Sequence, residues 1–292
     1  MRLAAGPCSC RGDREWRALS GSDLPTDTAA ARSSAWSKPI DRKRVEAIYA
    51  NLPGQADVAR LLACATSESA SLFLALPSSR DGTRLSNAAL QVAIGLGLGL
   101  PVATPGKCSC GAPLDELGDH ALTCHKGVGK HARHSEVNSR IKAALAEAGV
   151  VSVLEPVGLT RDDGKRPGGA TVLPFERGLP MAWDATIIHT CAPSHLHATA
   201  VQAGSAAAAA EAHKDSKYSC LASRVAFRAA AFESLGAFGP SERRLLDDIA
   251  TKIKSRTGDT RARTRLYRRI AAVILTGNYG CITEAHSRPS FP

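Results

Sequence analysis

The chain has 292 residues, 44% hydrophobic and 22% charged, enough to bury one large core or two smaller ones and unlike a fibrous or unfolded composition. Lys and Arg outnumber Asp and Glu 37 to 27, for a net charge of +10 and a pI near 9.3, which favours an anionic partner, most simply nucleic acid. Nine cysteines lack the paired framework of a small secreted domain, so a reducing compartment fits better. Residues 92–103 are too short to span a bilayer and the N-terminus has no uninterrupted apolar stretch, so neither membrane insertion nor secretion is indicated.

Residues 1–40 mix Gly, Ser, Asp, Arg and Ala without period and read as a disordered tail; Cys8 and Cys10 there have no nearby His or Cys partner. Residues 41–105 read as a helical linker. Helical composition covers 41–50, and apolar residues at Val58, Leu61, Leu62 and Ala65 predict a helix over 57–66. An apolar stretch over 71–76 ends at Pro77, and Ser86 caps a helix reaching about Gly95. Leu96, Leu98 and Leu100 alternate with glycines, which gives an extended or loosely helical connector.

Residues 106–130 form the most chemically specific stretch: Cys108-Ser109-Cys110, then nine intervening residues beginning with Gly111, His120, three intervening residues and Cys124. Three thiols and an imidazole can close a tetrahedral zinc shell, Gly111 and Pro113 allow a tight turn, and His120 and Cys124 stand one helical turn apart. His125 and His131 are rival fourth ligands. The spacing therefore predicts a structural Zn²⁺ knuckle on Cys108, Cys110, His120 and Cys124.

From 131 to 148 a stripe of Val137, Ile141, Leu145 and Ala148 predicts a helix, extended by His134 and Asn138 toward a possible site. Strands are predicted over 150–155, 170–174, 182–190 and 224–232, with a helix over 204–222 carrying Lys214 and Lys217 on one face. Alternation along the third strand puts Asp184, Thr186 and Ile188 on one side and Trp183, Ala185 and Ile187 on the other. Residues 131–235 thus describe a compact α/β unit, a small mixed sheet flanked by helices. Residues 236–292 carry two further helices, one starting at Pro240 and a basic one near 260–275 with Arg261, Arg263, Arg265, Arg268 and Arg269 around an apolar stripe. Arg265, Arg268 and Arg269 are candidates for phosphate contacts, with His134 and Asn138.

A nuclease that uses Mg²⁺ needs converging carboxylates and a lysine; Glu155, Asp184 and Lys214 or Lys217 are of the right kinds. The order of the knuckle, Arg133-His134 with Asn138, Glu155-Pro156, Lys165-Arg166-Pro167, Trp183-Asp184-x-Thr186 and Lys214-x-x-Lys217-Tyr218 resembles the C-terminal zinc knuckle and restriction-like endonuclease of site-specific non-LTR retrotransposon polyproteins, a PD-(D/E)xK-type nuclease. The likeness covers roughly residues 85–282. It implies a restriction-endonuclease-like fold, DNA or a parent element's RNA as partner, and a nuclear location. It also implies Asp184 as the second metal-binding aspartate, Mg²⁺ as the catalytic ion, Lys214 and Lys217 as the catalytic lysine positions, and a remnant of a reverse-transcriptase thumb before the knuckle. Where that pattern asks for Pro-Asp, this chain has Pro167-Gly168. Glu155, Asp162 and Asp163 are the nearest substitutes, and weak or absent cleavage is expected. The alternative expectation is a zinc-stabilised nucleic-acid-binding module without catalysis, and the chain reads as a detached or host-retained piece of a mobile element with no polymerase segment.

Overall fold

The computed structural model describes residues 7–25, 32–74, 76–161 and 163–286. The chain divides into two compact units, Met1–Gly54 and Gln55–Pro292. In the first, α1 (Pro7–Ser20) and the opening turns of α2 (Ser33–Ala50) stand where the composition suggests a disordered tail, while the remainder of α2 is the helix expected over 41–50. The Trp16 ring meets Trp36 edge-on with centroids 5.4 Å apart, and its indole N–H donates to the Trp36 carbonyl at 3.1 Å. One aromatic pair within a Ser- and Arg-rich background gives no periodic signal, which is why composition misses α1 and the start of α2. The Cys8 and Cys10 side chains lie outside the described residues.

The second unit begins with three helices, α3 (Gln55–Cys64), α4 (Ser67–Phe73) and α5 (Asn87–Leu98). The cap predicted at Ser86 is present: its hydroxyl accepts from the Ala89 N–H at 3.1 Å. Of the extended and loosely helical forms expected for the glycine-alternating connector, the helical one is taken: α5 runs on through Leu98 and stops at Gly99 in the left-handed region. Close packing explains the glycine at 95, where a Cβ would stand 2.4 Å from a Val102 methyl.

A short hairpin, β1 (Gly106–Lys107) and β2 (Pro113–Leu114), is followed by α6 (Asp119–Thr123) and the long α7 (Val128–Glu147). The main sheet then forms from β3 (Ser152–Leu154), β4 (Gly169–Glu176), β5 (Leu179–Ile188) and β6 (Ala226–Glu233), in that spatial order. β4 runs antiparallel to both β3 and β5, whereas β5 and β6 are parallel, so the sheet is mixed as predicted. A parallel pair needs a crossover, supplied by α8 (Leu196–Thr199) and α9 (Ser205–Tyr218). The chain ends in α10 (Pro240–Thr257) and α11 (Ala262–His286).

The core joins one face of the sheet to α7, α10 and α11. Trp183, Ala185 and Ile187 of β5 pack there with Val137, Ile141, Leu145, Leu245, Ile249, Ile253, Ile270 and Ile274, all at most 7% exposed. Burying each such aliphatic side chain contributes about 1.5–3 kcal/mol. The strand period therefore leaves Asp184 and Thr186 on the other face of β5, the face that forms the site. No helix among the described residues is long and apolar enough to cross a membrane.

Candidate functional site

Two polar centres stand out in the second unit. The first is built on the β1–β2 hairpin, whose turn carries Cys108 and Cys110, and on α6, which carries His120 and ends at Cys124. One ligand atom from each of these four residues lies within 4.8 Å of all the others. The Cys108 and Cys124 sulfurs are 3.6 Å apart, and the Cys110 sulfur is 3.2 Å from His120 Nε2. A tetrahedral ion with sulfur ligands at about 2.3 Å requires sulfurs roughly 3.8 Å apart, so the cluster can hold a metal ion such as zinc. His125 and His131, the rival ligands, line the cleft described below instead. Asp115 preorganises α6: its two carboxylate oxygens accept from the Asp119 and His120 N–H groups, each at 2.8 Å. Burial pushes the Cys108 thiol up, but hydrogen bonds from the Cys110 backbone, His120, Cys124 and Cys110 outweigh it and bring it down to about 6. Burial and the same sulfur neighbours raise Cys124 to about 11, as expected for two thiols sharing one proton.

The second centre is a cleft of about 700 Å³ between α7, the sheet and α9. Glu155, Gly168, Asp184, Lys214 and Lys217 all line it, so the acidic and lysine positions singled out in the sequence share one cavity. Asp184 is its hub. His134 Nε2 approaches Oδ1 at 3.2 Å, the Lys214 ammonium binds Oδ2, and the Tyr218 hydroxyl lies 3.0 Å from Oδ2. Burial raises this carboxyl, but the His134 hydrogen bond and the Lys214 charge outweigh it and hold it below the usual aspartate range. Burial likewise pulls Lys214 below the usual lysine range, with Asp184 opposing it. Tyr218 is raised, first by burial and then by Asp184. Its ring stacks on Phe227 and carries the Arg161 guanidinium over its face at 4.7 Å, which locks the hydroxyl in place. This role follows from Tyr218 standing four residues after Lys214 on α9, a spacing visible in the sequence.

Gly168 and Asn138 form a tight pair. A Cβ on Gly168 would lie 2.4 Å from Asn138 Oδ1 and 2.5 Å from its Cγ and Nδ2. Asn138 is buried, its Oδ1 accepting from the Ala185 N–H at 3.2 Å and its Nδ2 lying 3.3 Å from His134 Nε2. Asn138 therefore acts on the strand and the ring beside Asp184 and does not itself line the cleft. Glu155 sits across from Gly168, its N–H donating to the Gly168 carbonyl at 3.2 Å, and adopts a φ of 46°. That left-handed conformation costs a non-glycine residue about 1 kcal/mol, a strain typical of functional sites. Asp162 lies outside the described residues. Asp163 pairs with Arg161 at 2.6 Å and does not line the cleft.

The cleft wall carries Lys130, Arg161, Lys165, Arg166, Lys214 and Lys217 against the carboxylates Glu155 and Asp184, with four histidines, His125, His131, His134 and His213. That excess of cations favours an anionic ligand. The helix-11 arginines go elsewhere: Arg265 pairs with Glu147 and Asp259, Arg269 with Glu147 and Asp81, and Arg268 donates to the Ser71 carbonyl at 2.9 Å. With Leu266 and Ile270 turned inward, these three side chains are directed to the seams around α11, where they hold the fold rather than line the cleft. The cationic lining of Lys130 and Arg161 escaped sequence reasoning because these residues are dispersed in the chain. Compared with known proteins, the chain matches no family model, and no curated protein matches it either.

Proposed function

We propose that this protein is a restriction-endonuclease-like protein descended from the C-terminal region of a non-LTR retrotransposon polyprotein, with a cleft that takes the phosphate backbone of DNA. The observation that carries the reading is the convergence of Asp184, Glu155 and Lys214 in one cavity whose wall is strongly cationic. In that reading the Cys108, Cys110, His120 and Cys124 cluster takes Zn²⁺ and fixes the hairpin and α6. Glu155 and Asp184 are the carboxylates of that cleft that would hold Mg²⁺, which commonly uses one or two carboxylates together with water and substrate phosphate. Bound there, the ion would neutralise charge developing on the scissile phosphate. Lys214 releases Asp184 and turns to the phosphate, while Lys130, Lys165, Arg166 and Lys217 hold the flanking backbone. With glycine at 168 the site has one acidic side chain fewer than its ancestors, and cleavage is weak.

A second reading is favoured by the contacts of Asp184: both its oxygens already have protein partners, as suits a binding module without catalysis. Supercoiled plasmid with Mg²⁺ or Mn²⁺ separates the two. Nicking by the wild type that disappears in Asp184→Asn supports the nuclease. Salt-sensitive duplex binding that survives the substitution, with no nicking by either protein, supports the binding module. Absence of duplex binding at low salt defeats both.

A further inference from the structure

The two polar centres are linked by a series of largely buried hydrogen bonds, continued through the backbone of Ser234 and of Arg133-His134. It starts beside the metal cluster, at Asp119, whose neighbour in α6 is His120. Asp119 Oδ1 accepts from His189 Nε2 at 2.9 Å, and His189 Nδ1 lies 2.8 Å from the Ser234 hydroxyl. With Nε2 donating to the carboxylate, the Nδ1 of a neutral ring accepts from Ser234. The Ser234 carbonyl then accepts from Asn278 Nδ2 at 2.7 Å, and Asn278 Oδ1 accepts from Arg133. Arg133 precedes His134 in α7, and His134 holds Asp184. His189 is 3% exposed, Arg133 2%, and Ser234 and Asn278 are fully buried, so water does not compete for the bonds among these four, while the ends at Asp119 and His134 are partly exposed.

Each joint lies at a mechanically telling place. His189 directly follows β5, five residues beyond Asp184, and Ser234 directly follows β6. The two strand ends are also clamped by the Ser234 N–H donating to the Ile188 carbonyl at 2.8 Å. Arg133 is a buried cation whose Nε and Nη2 have no hydrogen-bond partner among the described residues, and Asn278 holds its Nη1. A buried charge held so sparingly is destabilised if its anchor moves, which makes the position of α7 sensitive to Asn278 and hence to Ser234.

We propose that Asp119, His189, Ser234, Asn278 and Arg133 are positioning residues that couple occupancy of the cysteine-histidine cluster to the geometry around Asp184. The inference rests on the metal-binding reading of the cluster, and on the cleft reading only for what the cleft is for. Metal on His120 fixes α6, α6 fixes Asp119, and the network sets where β5 and α7 place Asp184 and His134. By thermodynamic reciprocity, a change in the cleft must then alter metal affinity.

The test is a double-mutant cycle read as Zn²⁺ affinity, by competition with a chromophoric chelator on the full chain, with no DNA and no cleavage. Asp184→Asn is expected to change the Zn²⁺ dissociation constant by about 5-fold or more, the lower end of ordinary coupling. In an Asp119→Ala background the same substitution is expected to change it less than about 2-fold, because the half-exposed Asp119 carboxylate is the one link severed. His134→Gln replaces Asp184→Asn if the latter fails to fold, with the same expectation. An unchanged affinity in the cleft variants overturns the proposal, as does an equal change in both backgrounds. Failure of nicking leaves this result untouched, so the two readings fail separately.

Discussion

Putting a side chain at position 168 tests whether the glycine is a lost aspartate or a requirement of this fold. Gly168→Ala adds only a Cβ, which would stand 2.4–2.5 Å from three atoms of the Asn138 carboxamide. Those atoms cannot simply withdraw, since Asn138 is 4% exposed and holds the Ala185 N–H. Overpacking a core costs about 1–3 kcal/mol, and losing the Ala185 hydrogen bond adds about 1 kcal/mol. Gly168→Ala and Gly168→Asp should therefore each destabilise by about 2–4 kcal/mol in urea unfolding followed by circular dichroism. In an Asn138→Ala background the clash is gone, and Gly168→Asp should cost less than about 1 kcal/mol, a non-additivity of about 1–3 kcal/mol. Restoring Mn²⁺-dependent nicking should likewise need the double substitution and not Gly168→Asp alone. A neutral Gly168→Ala, within about 0.5 kcal/mol of wild type, or strict additivity in the double variant, would refute the steric reasoning.

Chelation of metal from the cysteine-histidine cluster should lower stability by about 4 kcal/mol relative to protein with free zinc 1,000-fold above its dissociation constant, measured by thermal unfolding with and without zinc. Glu233 is buried, and burial raises it from the ordinary 4.5 to about 7 despite hydrogen bonds from the Ala206, Ala207 and Gly204 backbone. Its protonated form favours the folded state, so that stability is complete below pH 4.5 and is lost as pH rises through about 7; Glu233→Gln should flatten the pH profile in that window. Asp184 has the opposite sign: its depressed carboxyl stabilises above the ordinary aspartate range, and acid unfolding of wild type and Asp184→Asn should converge as pH falls below it. If duplex binds in the cleft, Lys165→Ala with Arg166→Ala should reduce the slope of log affinity against log salt by about 1.8, while Arg268→Ala leaves the slope unchanged and lowers the melting temperature.

The stripes of α7, α10 and α11, the mixed sheet and the four-residue metal cluster were legible because period and spacing encode them directly. Alternation along β5 likewise separated the Asp184 face from the Trp183 face. Pairing across the chain was not legible. Nothing in the local pattern of α11 says that Arg265 and Arg269 meet Glu147, and a solvated basic face and a row of ion pairs read alike. The contact between Gly168 and Asn138 was equally hidden, since a glycine after a proline reads as turn chemistry until the opposing side chain is seen. Glu242 illustrates the same limit: it reads as an ordinary acidic residue of a helix start, yet it is wholly buried with both carboxyl oxygens unpartnered and is raised well above 4.5 by burial and by Glu211.

The parallel pairing of β5 with β6 also fixes when the cleft can exist during synthesis. Asp184 leaves the ribosome 30 residues before Lys214 and more than 40 before the strand that must lie beside it, and its bond to His134 spans 50 residues. A chain interrupted before the crossover has neither the ammonium that neutralises Asp184 nor the strand that pairs with β5, so half-made molecules present an incomplete cleft and an unpaired strand edge to chaperones or proteases.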